Sequence, residues 1–201
     1  MKRIATVEDL LECTDHYGML QFWSEGSLSA WTISDVSFMK LWNLREKAVN
    51  SQKLVYGKFM NKKATFVSLE VFPYLCSLRR NGYDFDALSD EGLVSNRETL
   101  IMDHVGTAAV PSYALSKSLG IKGFDAAVTN LQNKTYLALS FKKSSMGTAL
   151  LNRPEDIFGE DYVRSQYDKS PEECAKIIRK LAPGLGEFSD ADVAKILSPA
   201  V

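Results

Sequence analysis

The chain has 201 residues, enough for one large domain or two small ones with a substantial core. Its hydrophobic share of 45% and charged share of 24% are those of an ordinary globular protein, and a net charge of −1 excludes a uniformly basic nucleic-acid coat. Cys13, Cys76 and Cys174 have neither zinc-ligand nor redox spacing, no apolar run reaches membrane-spanning length, and no secretory leader is visible. The expectation is a reduced, cytoplasmic protein with no membrane contact, no metal and no cofactor.

In chain order, Thr6 and Asp9 frame the start of a helix that carries Val7, Leu10, Leu11 and Thr14 and stops at Gly18. His16, near its end, suits the helix dipole. Met19 to Trp23 continues as an apolar, buried segment, and residues 24–29 are the most loop-like stretch of the first half. Trp31 and Trp42 flank a helical run from Phe38 to Ala48. With Trp23 they either pack a core or stack on an extruded base.

Leu54–Met60 and Ala64–Ser68 read as two strands joined by Asn61, Lys62 and Lys63, a hairpin with a basic tip. Ser68 then caps a helix through Phe72, Leu75 and Leu78 that ends near Arg79, Arg80 and Gly82, with Pro73 in its first turns. Lys62, Lys63, Arg79 and Arg80 form either a phosphate-facing patch or a solvated surface. Residues 83–92, with Asp84, Asp86, Asp90 and Glu91, read as an acidic connector.

The stretch 95–152 has the order of a winged helix-turn-helix. Ser95 and Glu98 spell a capping box, and the first helix runs through Leu100, Ile101 and Val105 to Gly106. Pro111 and Ser112 open a second helix carrying Leu115 and Leu119, stopped by Gly120. In the third, Phe124, Ala127, Val128 and Leu131 make one apolar stripe, and the other face offers Asp125, Thr129, Asn130, Gln132 and Asn133. Residues 135–141 then alternate as a strand, Lys142 to Gly147 make a polar tip, and Thr148–Leu151 return. This stretch has six lysines and arginines against three acids, whereas residues 1–94 have 11 against 12 and residues 153–201 have 7 against 10. A local positive excess suits phosphate contact. Ser170, Pro171 and Glu173 start a further helix that ends at Pro183, and Ser189 starts a last short one.

The expected fold class is α+β, mainly helical, with the winged unit and a second small β-hairpin and helix module. Three parts follow: 1–94 as an N-terminal helical and hairpin module, 95–152 as the winged helix-turn-helix, and 153–201 as a helical segment packing on the rest. There is no phosphate-binding glycine loop, no HExxH and no nucleophile elbow. His16 and His104 leave little for a histidine-based site. Asp84 with Asp86 and Asp90 with Glu91 are carboxylate pairs on an exposed stretch, poor general acids.

A succession of short matches adds a family resemblance. Trp42 and Arg45 come first, then Tyr56 to Phe59, Phe66 to Glu70, Phe72 to Tyr74 and Leu78 to Arg80. Asp90 to Ser95, the winged unit, and Phe124 with Leu131 and Gln132 follow. Over residues 35–160 the chain resembles the bacterial AlkZ-related proteins, cousins of the AlkZ-type winged-helix DNA glycosylases. The resemblance implies a DNA-binding fold. Catalysis in those glycosylases, which hydrolyse the N-glycosidic bond of damaged bases, depends on a Gln-x-Gln or Gln-x-Asp motif that positions water. On the reading that none of Gln21, Gln52, Gln132 and Gln166 opens that motif, base excision is not expected.

The function expected is therefore a non-enzymatic winged-helix protein that binds duplex or damaged DNA. Lys122, Lys134, Lys142 and Lys143 would contact phosphates, and Thr129, Asn130 and Asn133 would face bases. The alternatives are a glycosylase with a divergent site, using a connector acid or Gln132, and a winged-helix module that binds a protein partner or forms a homodimer.

Overall fold

The structure is a computed structural model that describes residues 4–22, 38–142 and 148–200. It opens with α1 (Val7–Tyr17) under a complete capping box. The Thr6 hydroxyl accepts from Asp9 N at 3.1 Å, and the Asp9 carboxylate accepts from Thr6 N at 3.0 Å. Gly18 ends the helix at φ +67, where a Cβ would lie 2.4 Å from the Leu181 carbonyl oxygen. Only glycine gives both that backbone and that closeness. Strand β1 (Met19–Gln21), helix α2 (Phe38–Asn50) and the hairpin β2 (Leu54–Met60) and β3 (Lys63–Ser68) follow. The first sheet runs β1-β3-β2, antiparallel throughout, with Val55 opposite Val67 and Met19 also opposite Val67 on the other side.

The basic hairpin tip is tighter than expected. Asn61 and Lys62 alone make the turn, both with positive φ (48° and 62°), and Lys63 already belongs to β3. Helix α3 (Phe72–Arg80) begins four residues beyond Ser68, because Ser68 closes the strand opposite Leu54 and its hydroxyl accepts from Val71 N. Pro73 sits in the first turn, where no N–H is needed. The acidic connector is a helix, α4 (Phe85–Asp90). Phe85 and Leu88, three residues apart, are buried on one side while Asp86 and Asp90 stay exposed.

Next come α5 (Asn96–His104), β4 (Val110–Pro111), α6 (Ser112–Leu119), α7 (Phe124–Asn133), β5 (Ala138–Phe141) and β6 (Ala149–Asn152). The Ser95–Glu98 capping box forms in full, and α5 stops at Val105, one residue before Gly106. The second sheet runs β4-β6-β5, antiparallel, with two-residue β4 an addition to the expected elements. Ile101, Leu115, Phe124, Val128, Leu131, Leu137 and Leu151 close one core with Phe85 and Leu88 of α4.

The chain finishes with α8 (Pro154–Phe158), α9 (Glu160–Arg164), α10 (Pro171–Leu181), a 3-10 turn (Pro183–Glu187) and α11 (Asp190–Ile196). These helices cover α3 and one face of the first sheet. Val163, Cys174, Ile178, Val193 and Ile196 pack with Phe59, Phe72, Leu75 and Leu78. Burying each large side chain of that kind contributes about 1.5–3 kcal/mol. The opposite face of the sheet takes α1 and α2 through Leu10, Val49, Tyr56 and Phe66. The molecule is thus α+β, largely helical, with two small three-stranded antiparallel sheets.

Trp42 is half-buried against Phe22, and the Arg45 guanidinium stacks over it at 3.7 Å from the ring centroid and over Phe141 at 4.2 Å. That is core packing. Trp23 and Trp31, and the loop expected at 24–29, lie outside the described residues.

Candidate nucleic-acid interface

Helix α7 carries the polar face singled out in the sequence, and β2 with its tip lies along it. The Gln132 side chain is 2% exposed, and its oxygen accepts from the backbone N–H of Lys58 at 2.9 Å. The Lys58 ammonium donates to the Thr129 hydroxyl at 2.9 Å, and the Lys62 ammonium donates to the Asn130 side-chain oxygen at 2.9 Å. Gln132 therefore closes an edge group of β2 that would otherwise be an orphan donor. Thr129 and Asn130 are half-buried and engaged within the chain.

The C-terminal end of α7 opens on a cleft of about 550 Å³ beside the hairpin tip. Its walls bring together Lys62, Asn130, Asn133 and Lys134 with Lys195, Ser198 and the edge of Arg79. Among the described residues no acidic side chain lines it. Lys134 reaches Glu98 at 3.5 Å, the carboxylate whose other oxygen caps α5. Three of the seven candidates from the sequence, Asn130, Asn133 and Lys134, thus meet in one basic recess. Lys122 stands exposed at the opposite end of α7, a helix of 10 residues and so about 15 Å long. Lys142 is exposed where β5 ends, and Lys143 lies outside the described residues.

Two participants escaped the sequence reading. Lys195 and Ser198 come from the last helix and the residues after it, and nothing local marks them as neighbours of residue 130. Lys62 and Arg79, grouped there with Lys63 and Arg80, divide: Lys62 and Arg79 border the cleft, Lys63 is exposed, and Arg80 points elsewhere.

Arg80 is 1% exposed and fully engaged. Its guanidinium donates to the Thr135 hydroxyl at 3.0 Å, the Thr135 carbonyl at 2.6 Å, Tyr167 OH at 3.0 Å and the Glu155 carboxylate, and it stacks over Tyr136 at 4.5 Å. Burial works against its charge, but Cys76, Glu155 and Tyr167 outweigh burial and raise its pKa. Beside it lies a cleft of about 220 Å³ with Asp84, Asp86, Glu155, Asp156 and Arg164 among its walls. Asp84 pairs with Arg164 at 3.0 Å, and burial, ahead of neighbouring Glu155, raises the pKa of Asp156. Two of the four connector acids, Asp84 and Asp86, are therefore gathered at a recess, while Asp90 and Glu91 stay exposed outside it.

One expectation is corrected by the sequence itself. Gln166, Tyr167 and Asp168 do spell Gln-x-Asp. They form the turn after α9, where Tyr167 meets Arg80 while Gln166 donates to Ser165 at 3.4 Å and Asp168 pairs with Lys169 at 3.2 Å. Neither Gln166 nor Asp168 lines the two clefts described above. Among the described residues no group of three or more His, Cys, Asp or Glu side chains is placed to hold a metal ion, and no helix is long and apolar enough to cross a membrane.

An α+β protein in which a polar helix, a basic hairpin tip and the last helix share one cationic recess is the class the geometry defines. The chain belongs to the AlkZ-related family, whose model, described as AlkZ related, matches residues 4–198, and it is thereby related to the AlkZ-type DNA glycosylases. No curated protein and no solved structure matches it.

Proposed function

We propose that the protein binds duplex DNA, that residues 95–152 act as a winged helix-turn-helix unit within it, and that contact is made chiefly to the sugar-phosphate backbone. The observation that carries this reading is the cationic recess at the C-terminal end of α7, with no acid in its wall among the described residues. Lys62, Lys195 and Asn133 supply donors there, Lys122 extends the contact to the other end of α7, and Lys142 and Lys143 extend it along the wing. Thr129 and Asn130 are held by Lys58 and Lys62 and so contribute little base readout. Binding is then sequence-tolerant, as backbone contacts position without specifying. Residues 1–94 and 153–201 frame this unit as its two flanking parts.

Anisotropy titrations of two unrelated duplexes at several salt concentrations test the reading. Similar affinities with a steep negative salt slope are expected. Absence of binding at low salt removes it. A second reading, base excision, is favoured by the Gln-x-Asp spelled by Gln166 and Asp168, whose central Tyr167 accepts from Arg80 beside the recess. Its test is release of free base from an alkylated duplex, lost in Gln166→Ala.

A further inference from the structure

Arg79 is a buried charge without an opposite charge. It is 3% exposed, and one terminal nitrogen donates to the Phe59 carbonyl at 3.3 Å and to the Ile196 carbonyl. Its Nε has no hydrogen-bond partner among the described residues, and no carboxylate there pairs with it. Carbonyl oxygens supply hydrogen bonds but no net charge, so the usual answer to a buried cation, an anion in contact, is missing. Burial alone pulls its pKa down to about 10. The residue borders the one cleft described above whose wall is cationic, with Lys62 and Lys195 on the rim and Asn133 as a neutral donor. Lys134 is balanced by Glu98, which leaves Arg79, Lys62 and Lys195 as the net charge of the recess.

We propose that this cleft is a built anion site that takes one phosphate group, with Arg79 in its floor and Lys62 and Lys195 at its mouth. Phosphate suits the donor set better than a carboxylate. It offers more acceptor oxygens and more charge to a guanidinium, two ammonium groups and an amide that converge from four separate elements. The phosphate arrives either as a phosphodiester of a nucleic-acid strand or as a free phosphate, and only the first source rests on the DNA reading. Lys62 owes its place to the left-handed two-residue turn, and Lys195 owes its place to α11 docking on α3, where the Arg79 carbonyl also accepts from Ala200 N at 3.3 Å. The site is assembled only when the first and last parts of the chain meet.

The test is calorimetric titration of the full chain with inorganic phosphate, and with acetate, at fixed ionic strength. Lys62→Gln and Lys195→Gln are titrated alongside, with Lys176→Gln on α10 as the control. Arg79→Met is added where it folds. One saturable phosphate site is expected, weakened about tenfold by either lysine variant, unmoved by the control and not matched by acetate. A parallel duplex titration by anisotropy should lose about one unit of salt slope per lysine removed. Phosphate binding lost in the variants with no duplex binding by the wild type upholds the site, assigns it to free phosphate and removes the DNA reading. Duplex binding untouched by both lysine variants, with no saturable phosphate, overturns the site and leaves the DNA reading standing. Acetate binding as tightly as phosphate overturns the phosphate assignment, and absence of both ligands overturns both proposals.

Discussion

Arg79 and Arg80 are consecutive on α3, equally hidden from solvent, and oppositely provided for. Arg80 turns to one side of the helix, where Thr135, Glu155 and Tyr167 satisfy its donors and Glu155 supplies the countercharge. Arg79 turns to the other side, where two carbonyls meet one of its nitrogens and no carboxylate does. Burial by itself lowers the pKa of both: at Arg80 it is outweighed by Cys76, Glu155 and Tyr167, and at Arg79 it goes unopposed. Depth therefore does not say what a charge is for. An internally completed network holds structure together, and an incomplete one leaves a vacancy in its electrostatics that a ligand can fill.

The comparison breaks most visibly in stability. Arg80→Met leaves Glu155 without its cation and Thr135 without its donors, and should lower unfolding free energy by about 3 kcal/mol in urea titrations. Arg79→Met removes a charge with no countercharge among the described residues and should cost about 1 kcal/mol, chiefly for the two abandoned carbonyls. Equal losses in the two variants would erase the distinction. Next in size, Gln132→Leu orphans the buried Lys58 N–H and should cost about 1–2 kcal/mol.

Alkaline pH sharpens the contrast further. Arg79 has a folded pKa near 10 against an ordinary value of 12.5. Between those values the unfolded chain binds more protons than the folded one, so stability rises with pH through that window. Below it, the cost of the buried charge is present in full. The stability of the wild type measured against Arg79→Met should therefore improve on passing from about pH 8 to about pH 11, and a flat difference would mean that Arg79 is not burdened. The smallest signal is chemical. Cys76, one turn before Arg80, is pushed up to about 12 by burial despite the pull of Arg80. Cys13 is pushed to about 11, again chiefly by burial. Cys76 should resist a thiol reagent at neutral pH until the chain unfolds, and rapid labelling would mean that the Arg80 charge is less completely neutralised than the geometry indicates.

Much of this was legible in the linear chain wherever the signal is local. Thr6, Ser95 and Ser170 each accept from the N–H three residues on, as their spacing to Asp9, Glu98 and Glu173 indicates. The stripe Phe124, Ala127, Val128 and Leu131 is the buried side of α7. Helix α4 was hidden because four acids in ten residues mask the pair Phe85 and Leu88, which acquire a helix only by joining a core formed largely from residues downstream. The recess was half legible. Asn130, Asn133 and Lys134 share a helix end, but Lys62 reaches Asn130 across 68 residues, and the Ile196 carbonyl meets Arg79 across 117. No period or motif encodes contacts at that separation. Of the polar face expected on α7, Gln132 is instead buried, and an isolated helix gives no hint that a strand edge will borrow it or that a lysine will occupy Thr129.

The way the last helices cover the first sheet has a consequence for biosynthesis. Val55, Phe59, Phe72, Leu75 and Leu78 leave the ribosome long before Cys174, Ile178, Val193 and Ile196, the residues that close over them. Until those residues emerge, that apolar sheet and helix surface stands uncovered, which is the condition under which nascent chains aggregate or recruit chaperones. Gly18 admits the first part of that cover, since its bare backbone is where the end of α10 comes to rest. Folding of the amino-terminal part is thus complete only after α10 and α11 have been made.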